Sequence, residues 1–313
     1  MKVSVCMAIY NGAKYIGQQL ESIWEQSRKP DEVILCDDGS TDGTVTIIED
    51  FIAEKSLYGG WKLYRNEQHK GYPGNFYYAM GLCSGDTIFL ADQDDIWHRE
   101  KIGHMCRVLE EHPEVVAVCC KLSLIDAEGS TIHSVMATTR GGKRPKGQPS
   151  VLRQINIDDV FYKCEWPGMV LAYRRGWYQC WAKESGMIPH DFLLCARAAE
   201  EGGFYQMDEV LASHRRHEGN AGGEEHRLRQ LLQKERKLKE IENYLQILGN
   251  FSKWETMQTD AGKAALGRKL SSMQGRYEAL QSGRLGQVLG NAIKHWRETR
   301  IKTLVCDLLI VLQ

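Results

Sequence analysis

The chain has 313 residues, 42% of them hydrophobic and 26% charged, with a formal net charge of -1. That length buries a full core and admits one large domain or two smaller ones. The near-neutral balance excludes a nucleic-acid binder that works by bulk charge.

The first third alternates apolar runs with helical stripes. VSVCMAI (3–9) is continuously apolar, the pattern of a parallel strand covered on both faces. Tyr15, Ile16, Leu20, Ile23 and Trp24 then fall on one helical stripe. DEVILCD (31–37) reads as a second strand, and Ser40, Thr41 and Asp42 mark the start of a second helix. WKLYRN gives a third strand, PGNFYYAMGLC a helix with Pro73 in its first turn, and GDTIFLADQDD a fourth strand. Strands joined by helical crossovers predict a doubly wound α/β sheet.

Next, a helix from about Trp97 precedes the strand EVVAVCCKLSLID, and residues 137–150, ATTRGGKRPKGQPS, read as a mobile loop. EWPGMVLAYRRGW supplies a strand and a helix start. HDFLLCARAAEEGG reads as a helix beginning at Phe192 with Asp191 as its N-cap, and FYQMDEVLASHRRHEGN as short strands running into a polar turn. From Glu224 the chain is helical and basic, with 16 Lys+Arg against 10 Asp+Glu, while the first 223 residues hold 24 against 31. An acidic body with a basic tail points to different partners for the two parts.

Ten cysteines, none in a CxxC pair, fit reduced thiols in a cytoplasmic protein and argue against a zinc site. The opening MKVSVCMAIY turns polar too soon for a secretory segment, and no apolar run nears the roughly 20 residues that span a bilayer.

The chemistry gathers at strand ends. Ligands of open α/β sheets bind beyond the carboxyl ends of the strands. Asn11-Gly12, Asp37-Asp38 and Asp92–Asp95 all stand at such ends and should converge. Three carboxylates within FLADQDDIWH repel one another. A single Asp would serve to start the following helix, whereas the group suits a Mg2+ or Mn2+ site that also grips substrate phosphates. DDGST reads equally as a turn and as acceptors for a ribose or base edge.

Taken in order, VSVCMAIYNGAKYIGQQLESIWEQS, DEVILCDDGSTDGT and GNFYYAMGLCSGDTIFLADQDDIW resemble the family 2 glycosyltransferases with their GT-A fold. The likeness is close over about residues 3–100. It runs more loosely to about 220, where IPHDFLLC and HRRHEGN resemble acceptor-side segments of bacterial rhamnosyltransferase-like members. The resemblance implies that Ala8, Tyr10, Asn11 and Asp38, with Asp92 and Gln93, contact the donor nucleotide, and that Asp94 of the DXD motif holds Mn2+ or Mg2+ against the diphosphate. Asp191 matches the family's catalytic base, with His190 an acceptor or structural contact. His217 or Arg216, in a turn with His214, Arg215 and Asn220, would meet phosphate oxygens. Trp166, Pro167, Gly168 and Met169 would floor the sugar site. HDF stands where those members more often have HDW, which leaves the sugar open.

The implied fold is α/β, a Rossmann-like GT-A architecture with a mixed, mostly parallel sheet flanked by helices. The implied activity is inverting, metal-dependent transfer of a hexosyl or deoxyhexosyl unit. The donor would be a UDP- or dTDP-sugar, and the acceptor a hydroxyl of a cell-surface glycan or lipid-linked oligosaccharide. Two alternatives stay open. One is a non-catalytic scaffold subunit. The other is a sugar-nucleotide pyrophosphorylase, which would want a Gly-rich phosphate loop where this chain has IYNGAKY. The expected layout is a GT-A domain at 1–223, with a nucleotide-binding half at 1–95 and an acceptor half at 96–223, then a helical extension at 224–313. There Arg284, Lys294, Arg297, Arg300 and Lys302 accompany Trp296 and TLVCDLLIVLQ. That tail reads either as a helix packed on the catalytic domain or as an amphipathic helix on an anionic membrane. The second reading would make a cytoplasmic enzyme peripheral on the membrane's inner face.

Overall fold

The apolar runs become the strands of a sheet. In a computed structural model that describes residues 1–132, 151–163, 166–178, 188–217, 232–253 and 257–312, β1 (Val3–Ile9), β2 (Glu32–Asp37), β3 (Trp61–Arg65) and β4 (Thr87–Ala91) pair in parallel in the order β3-β2-β1-β4. Strands β2 and β4 are buried along their whole length, as strands covered on both faces must be. The crossovers α1 (Ile16–Trp24), α2 (Thr44–Glu54) and α3 (Gly71–Leu82) return the chain each time, so the carboxyl ends of all four strands share one edge. The loop expected at 137–150, and Asn220, lie outside the described residues.

Beyond β4 the sheet becomes mixed. Strands β5 (Ile96–Trp97), β6 (Ala117–Ile125), β7 (Leu152–Gln154), β8 (Leu171–Arg174) and β9 (Phe204–Arg215) complete it. Strand β8 runs antiparallel between β4 and β6, and β9 lies parallel to β6 and antiparallel to β5 and β7.

Two sequence expectations are corrected here. The helix expected from about Trp97 begins later, as α4 (Lys101–Glu111), because Ile96 and Trp97 pair with Ser213 and Ala212 of β9. The carboxylates at 92–95 therefore close a strand and do not cap a helix. The short strands expected after residue 203 are one 12-residue strand, whose register against β6 shifts on either side of Lys121. Such irregularities bend a strand and let it continue.

The described residues divide into two compact units. The first holds Met1–Ile155 and Trp166–Arg216, including the short α6 (Arg175–Tyr178) and α7 (His190–Glu200). The second, Asn156–Glu165 with His217–Gln313, is helical: α5 (Ile157–Lys163), α8 (Lys234–Lys253), α9 (Asp260–Ser282), α10 (Leu285–Lys294) and α11 (Ile301–Val311). Its core contains Phe161 against Phe251 with Leu248, Leu266 and Leu280. Thr259 caps α9 by accepting the Gly262 N–H at 3.0 Å, and Gly283, at φ 68°, ends that helix. The eight described cysteines are all free thiols.

Candidate active site

The carboxyl edge of the parallel strands is assembled by side chains that sew strand ends together. The Tyr10 N–H donates to Gln93 Oε1 at 3.0 Å, and Gln93 Nε2 donates back to the Tyr10 carbonyl at 2.9 Å. Gly12 keeps this clasp possible, since a Cβ there would fall 2.5 Å from Gln93 Oε1. Asn11 adopts the left-handed region (φ 48°) and accepts the Thr41 N–H at 2.8 Å, while its own N–H donates to Ser40 Oγ. The loops after β1, β2 and β4 thus meet, as the sequence predicts. Ala8 sits within this edge, in register with Cys36.

Asp38 is buried and its oxygens are engaged. Oδ1 accepts from Asn66 Nδ2 at 2.7 Å and from the Lys70 N–H at 2.8 Å. Oδ2 accepts from the Gly71 N–H at 2.9 Å and lies 3.0 Å from His69 Nδ1. The carboxylate therefore anchors the start of α3. Two exposed rings flank this edge: Tyr10, 50% exposed, meets His69 edge-on at 5.1 Å. Sequence reasoning missed His69, because NEQHKG shows no periodicity and no carboxylate.

The acidic segment splits into two roles. Asp95 is fully buried and accepts from the Arg215 N–H at 2.8 Å and from His214 Nδ1 at 3.0 Å, tying the end of β4 to the end of β9. Arg215, expected in a polar surface turn, is fully buried. It donates Nε to the Asp94 carbonyl at 2.8 Å, Nη1 to the carbonyls of Asp126 and Ala127, and Nη2 to Gln18 Oε1 at 2.5 Å. Its guanidinium also lies 4.7 Å from the Tyr15 ring centroid. Asp92 and Asp94 remain partly exposed.

Although Asp92 keeps some solvent exposure, the partial withdrawal of its carboxyl from water and the neighbouring carboxylates of Asp95, Asp94 and Asp191 raise its pKa above the usual carboxylate range. Lys101 offsets part of that charge from below. It is fully buried, donates to the Met169 carbonyl and sits 3.7 Å from the Trp97 ring centroid, and burial lowers its pKa to about 8. A surplus of carboxylate with hard oxygen donors fits Mn2+ or Mg2+. Among the described residues, no three His, Cys, Asp or Glu groups form a ready-made cage. Such an ion would thus rest on one or two carboxylates and take its other ligands from phosphate and water, as Mg2+ commonly does.

On the opposite wall α7 begins at His190, two residues before the expected start. Asp191 lies in its first turn, and Pro189 is the N-cap, so the expected capping role is not the one observed. Asp191 Oδ1 accepts the Phe192 N–H at 2.8 Å. His190 is 1% exposed, stacked on Phe76 at 3.8 Å and edge-on to Tyr72 at 5.5 Å. Neither ring nitrogen has a hydrogen-bond partner among the described residues, and burial lowers its pKa to about 4. A Cβ on Gly168 would come within 2.8 Å of His190 Nε2. His190 thus packs between Phe76 of α3 and Gly168. With the Tyr77 hydroxyl donating to the Ile188 carbonyl at 3.0 Å, it fixes the turn that carries Asp191. Asp191 is close enough to raise the affinity of both Asp92 and Tyr72 for their protons.

Three other expected residues can be located. Trp166 is buried edge-to-face against Phe204 at 5.5 Å. Arg216 is exposed at the end of the first unit, and its N–H donates to the Ile125 carbonyl at 2.8 Å. His217 falls in the second unit.

Residues 4–163 match the family model for glycosyl transferase family 2. The chain belongs to that family. The chain is 30% identical over 175 residues to an uncharacterized glycosyltransferase of Nostoc sp., an alignment covering 56% of this chain and 51% of that protein. The chain spans about half the length of the curated relatives it matches. Among solved structures, S. aureus TarS in complex with UDP is similar with a TM-score of 0.58 at 17% identity, covering 96% of this chain and 76% of that one. The mannosyltransferase PcManGT of Pyrobaculum calidifontis, in complex with GDP-Man and Mn2+, is similar at 0.53 and 16%, covering 99% and 86%. At these identities the likeness concerns the fold, which is GT-A.

Proposed function

We propose that this glycosyltransferase inverts the anomeric centre of a UDP- or dTDP-linked sugar, with Mn2+ or Mg2+, and transfers it to a hydroxyl of a cell-surface glycan or lipid-linked oligosaccharide. The observation that carries the reading is the position of Asp191: a rigidly held turn brings it into electrostatic range of Asp92, across from the DXD segment. An acid at that place has the proton-accepting role that an inverting transfer requires.

In this mechanism Tyr10 and His69 receive the base, and the Gln93 clasp orders the loop that frames it. Asp94, with Asp92 beside it, would hold the divalent cation, which supplies neutralisation of the charge developing on the diphosphate. The acceptor hydroxyl attacks the anomeric carbon on the face opposite the diphosphate. Asp191 takes the hydroxyl proton as the new C–O bond forms, and the electron pair of the breaking glycosyl–phosphate bond leaves on the nucleoside diphosphate. Support for a nucleotide-sugar donor comes from the neighbours of this fold, since TarS has been captured with UDP-GlcNAc and PcManGT with GDP-Man. The same reading puts the enzyme in the cytoplasm, peripheral on the inner face of the membrane.

The test is the anomeric configuration of the product, read by proton NMR. A donor with an axial nucleotide linkage should give an equatorial glycoside, and retention of the axial linkage would overturn the inverting assignment.

A further inference from the structure

The last two helices of the second unit each show an apolar stripe that the described residues leave exposed. On α10, Leu285, Leu289 and Ile293 recur at every fourth position, and Trp296 follows in the turn after the helix; they are 38%, 43%, 74% and 69% exposed. On α11 the same spacing gives Ile301, Val305 and Leu309, then Leu312, at 83%, 49%, 44% and 66%. Val288 and Ala292, one step around α10, are buried, as is Ile310 on α11. Each helix is thus held by part of its apolar surface and displays the rest. Isolated exposed apolar residues are ordinary, whereas two stripes on consecutive, mutually packed helices mark an interaction surface.

The fully exposed charges of this segment are all basic. Arg284, Lys294, Arg297 and Lys302 are exposed. The two acids of the segment are drawn inward to α9. Asp307, 3% exposed, accepts Arg276 Nε at 2.6 Å and Nη2 at 2.8 Å, and Glu298 lies 3.6 Å from Arg268 Nε. The outward surface of this segment therefore combines apolar side chains, an exposed Trp and exposed bases.

We propose that α10 and α11 together form a docking surface for an anionic lipid bilayer. Their apolar stripes enter the boundary between headgroups and acyl chains, Trp296 anchors there, and the bases meet anionic headgroups. No helix among the described residues is long and apolar enough to cross a membrane, so this attachment is interfacial. A second copy is the poorer occupant. A two-fold interface would press the same four bases against their own counterparts. The proposal rests on the proposed function only for what the membrane would hold, a lipid-linked acceptor; lipid binding itself needs no catalysis.

The test is co-sedimentation of the full chain with vesicles of phosphatidylcholine alone or with added phosphatidylglycerol, with nucleotide binding measured in parallel. Binding should require the anionic lipid and weaken with salt. It should fall by about tenfold or more in Lys294→Glu/Arg297→Glu and in Trp296→Glu/Ile301→Glu. These positions are exposed, so circular dichroism and nucleotide binding should match the parent. No binding to anionic vesicles, equal binding to neutral ones, or a dimer in sedimentation velocity that Trp296→Glu dissolves would each overturn the proposal. A failed nucleotide measurement beside intact vesicle binding would instead count against the donor site alone.

Discussion

Arg215 Nε donates to the carbonyl of Asp94 at 2.8 Å, from a side chain with no solvent exposure. The proposed metal-binding residue is thus held through its backbone by the end of β9, 121 positions along the chain. Replacing Arg215 by Met should strand the carbonyls of Asp94, Asp126 and Ala127, at about 1–3 kcal/mol for each buried group left unsatisfied. We expect a loss of at least about 3 kcal/mol in urea denaturation, together with weaker metal-dependent nucleotide binding. Arg215→Lys should keep the charge but not the four-way span, and so fall between. Stability and metal-dependent binding both unchanged in Arg215→Met would remove the clamp from the account.

Asp191→Asn should bind donor nucleotide normally and lose transfer by about 10²–10⁴-fold, the usual worth of a positioned base. Steady-state kinetics beside a binding isotherm separates the two effects. Turnover within a few-fold of wild type would rule Asp191 out as the base.

His190 makes stability depend on pH in a predictable direction. Its pKa falls from 6.5 in the unfolded chain to about 4 in the fold because burial disfavours the charged ring. The unfolded state therefore binds the proton first. The contribution of the neutral ring is complete above about pH 6.5 and is lost as pH falls toward 4, by about 3 kcal/mol in total. Denaturation across that range should show a slope in the parent that His190→Gln flattens; equal slopes would contradict the buried neutral ring.

Gly168→Ala places a Cβ 2.8 Å from His190 Nε2. We expect about 1–3 kcal/mol of destabilisation and a reduced transfer rate as α7 shifts. Adding His190→Ala should restore part of the stability, a coupling that a double-mutant cycle measures. Simple additivity of the two changes would show that the residues do not press on each other.

Much of the fold is written in local patterns. The apolar runs within 3–9, 31–37 and 87–91, separated by helical stripes, state a parallel sheet and place the acidic segments at the carboxyl ends of its strands. What local patterns do not carry is a partner far along the chain. Ile96–Trp97 resembles a helix start until Ser213 and Ala212 pair with it. Asp95 resembles its neighbours in the acidic run until the Arg215 N–H and His214 claim it. The same holds for Arg215 itself, polar in sequence and buried in structure. His69 is legible only once Asp38 and Tyr10 are seen beside it.

The most direct test of the central claim is a thermal-shift panel of UDP, dTDP, GDP and CMP, each with and without Mn2+ or Mg2+, on the parent and on Asp94→Ala. A ligand at about 100 times its dissociation constant adds about 2.7 kcal/mol of stability, which such a panel detects readily. The account predicts stabilisation by UDP or dTDP only when metal is present, and its loss in Asp94→Ala with the unliganded melting temperature unchanged. No shift with any nucleotide, or an undiminished metal-dependent shift in Asp94→Ala, would contradict it, and the first outcome would favour a non-catalytic scaffold that keeps the fold.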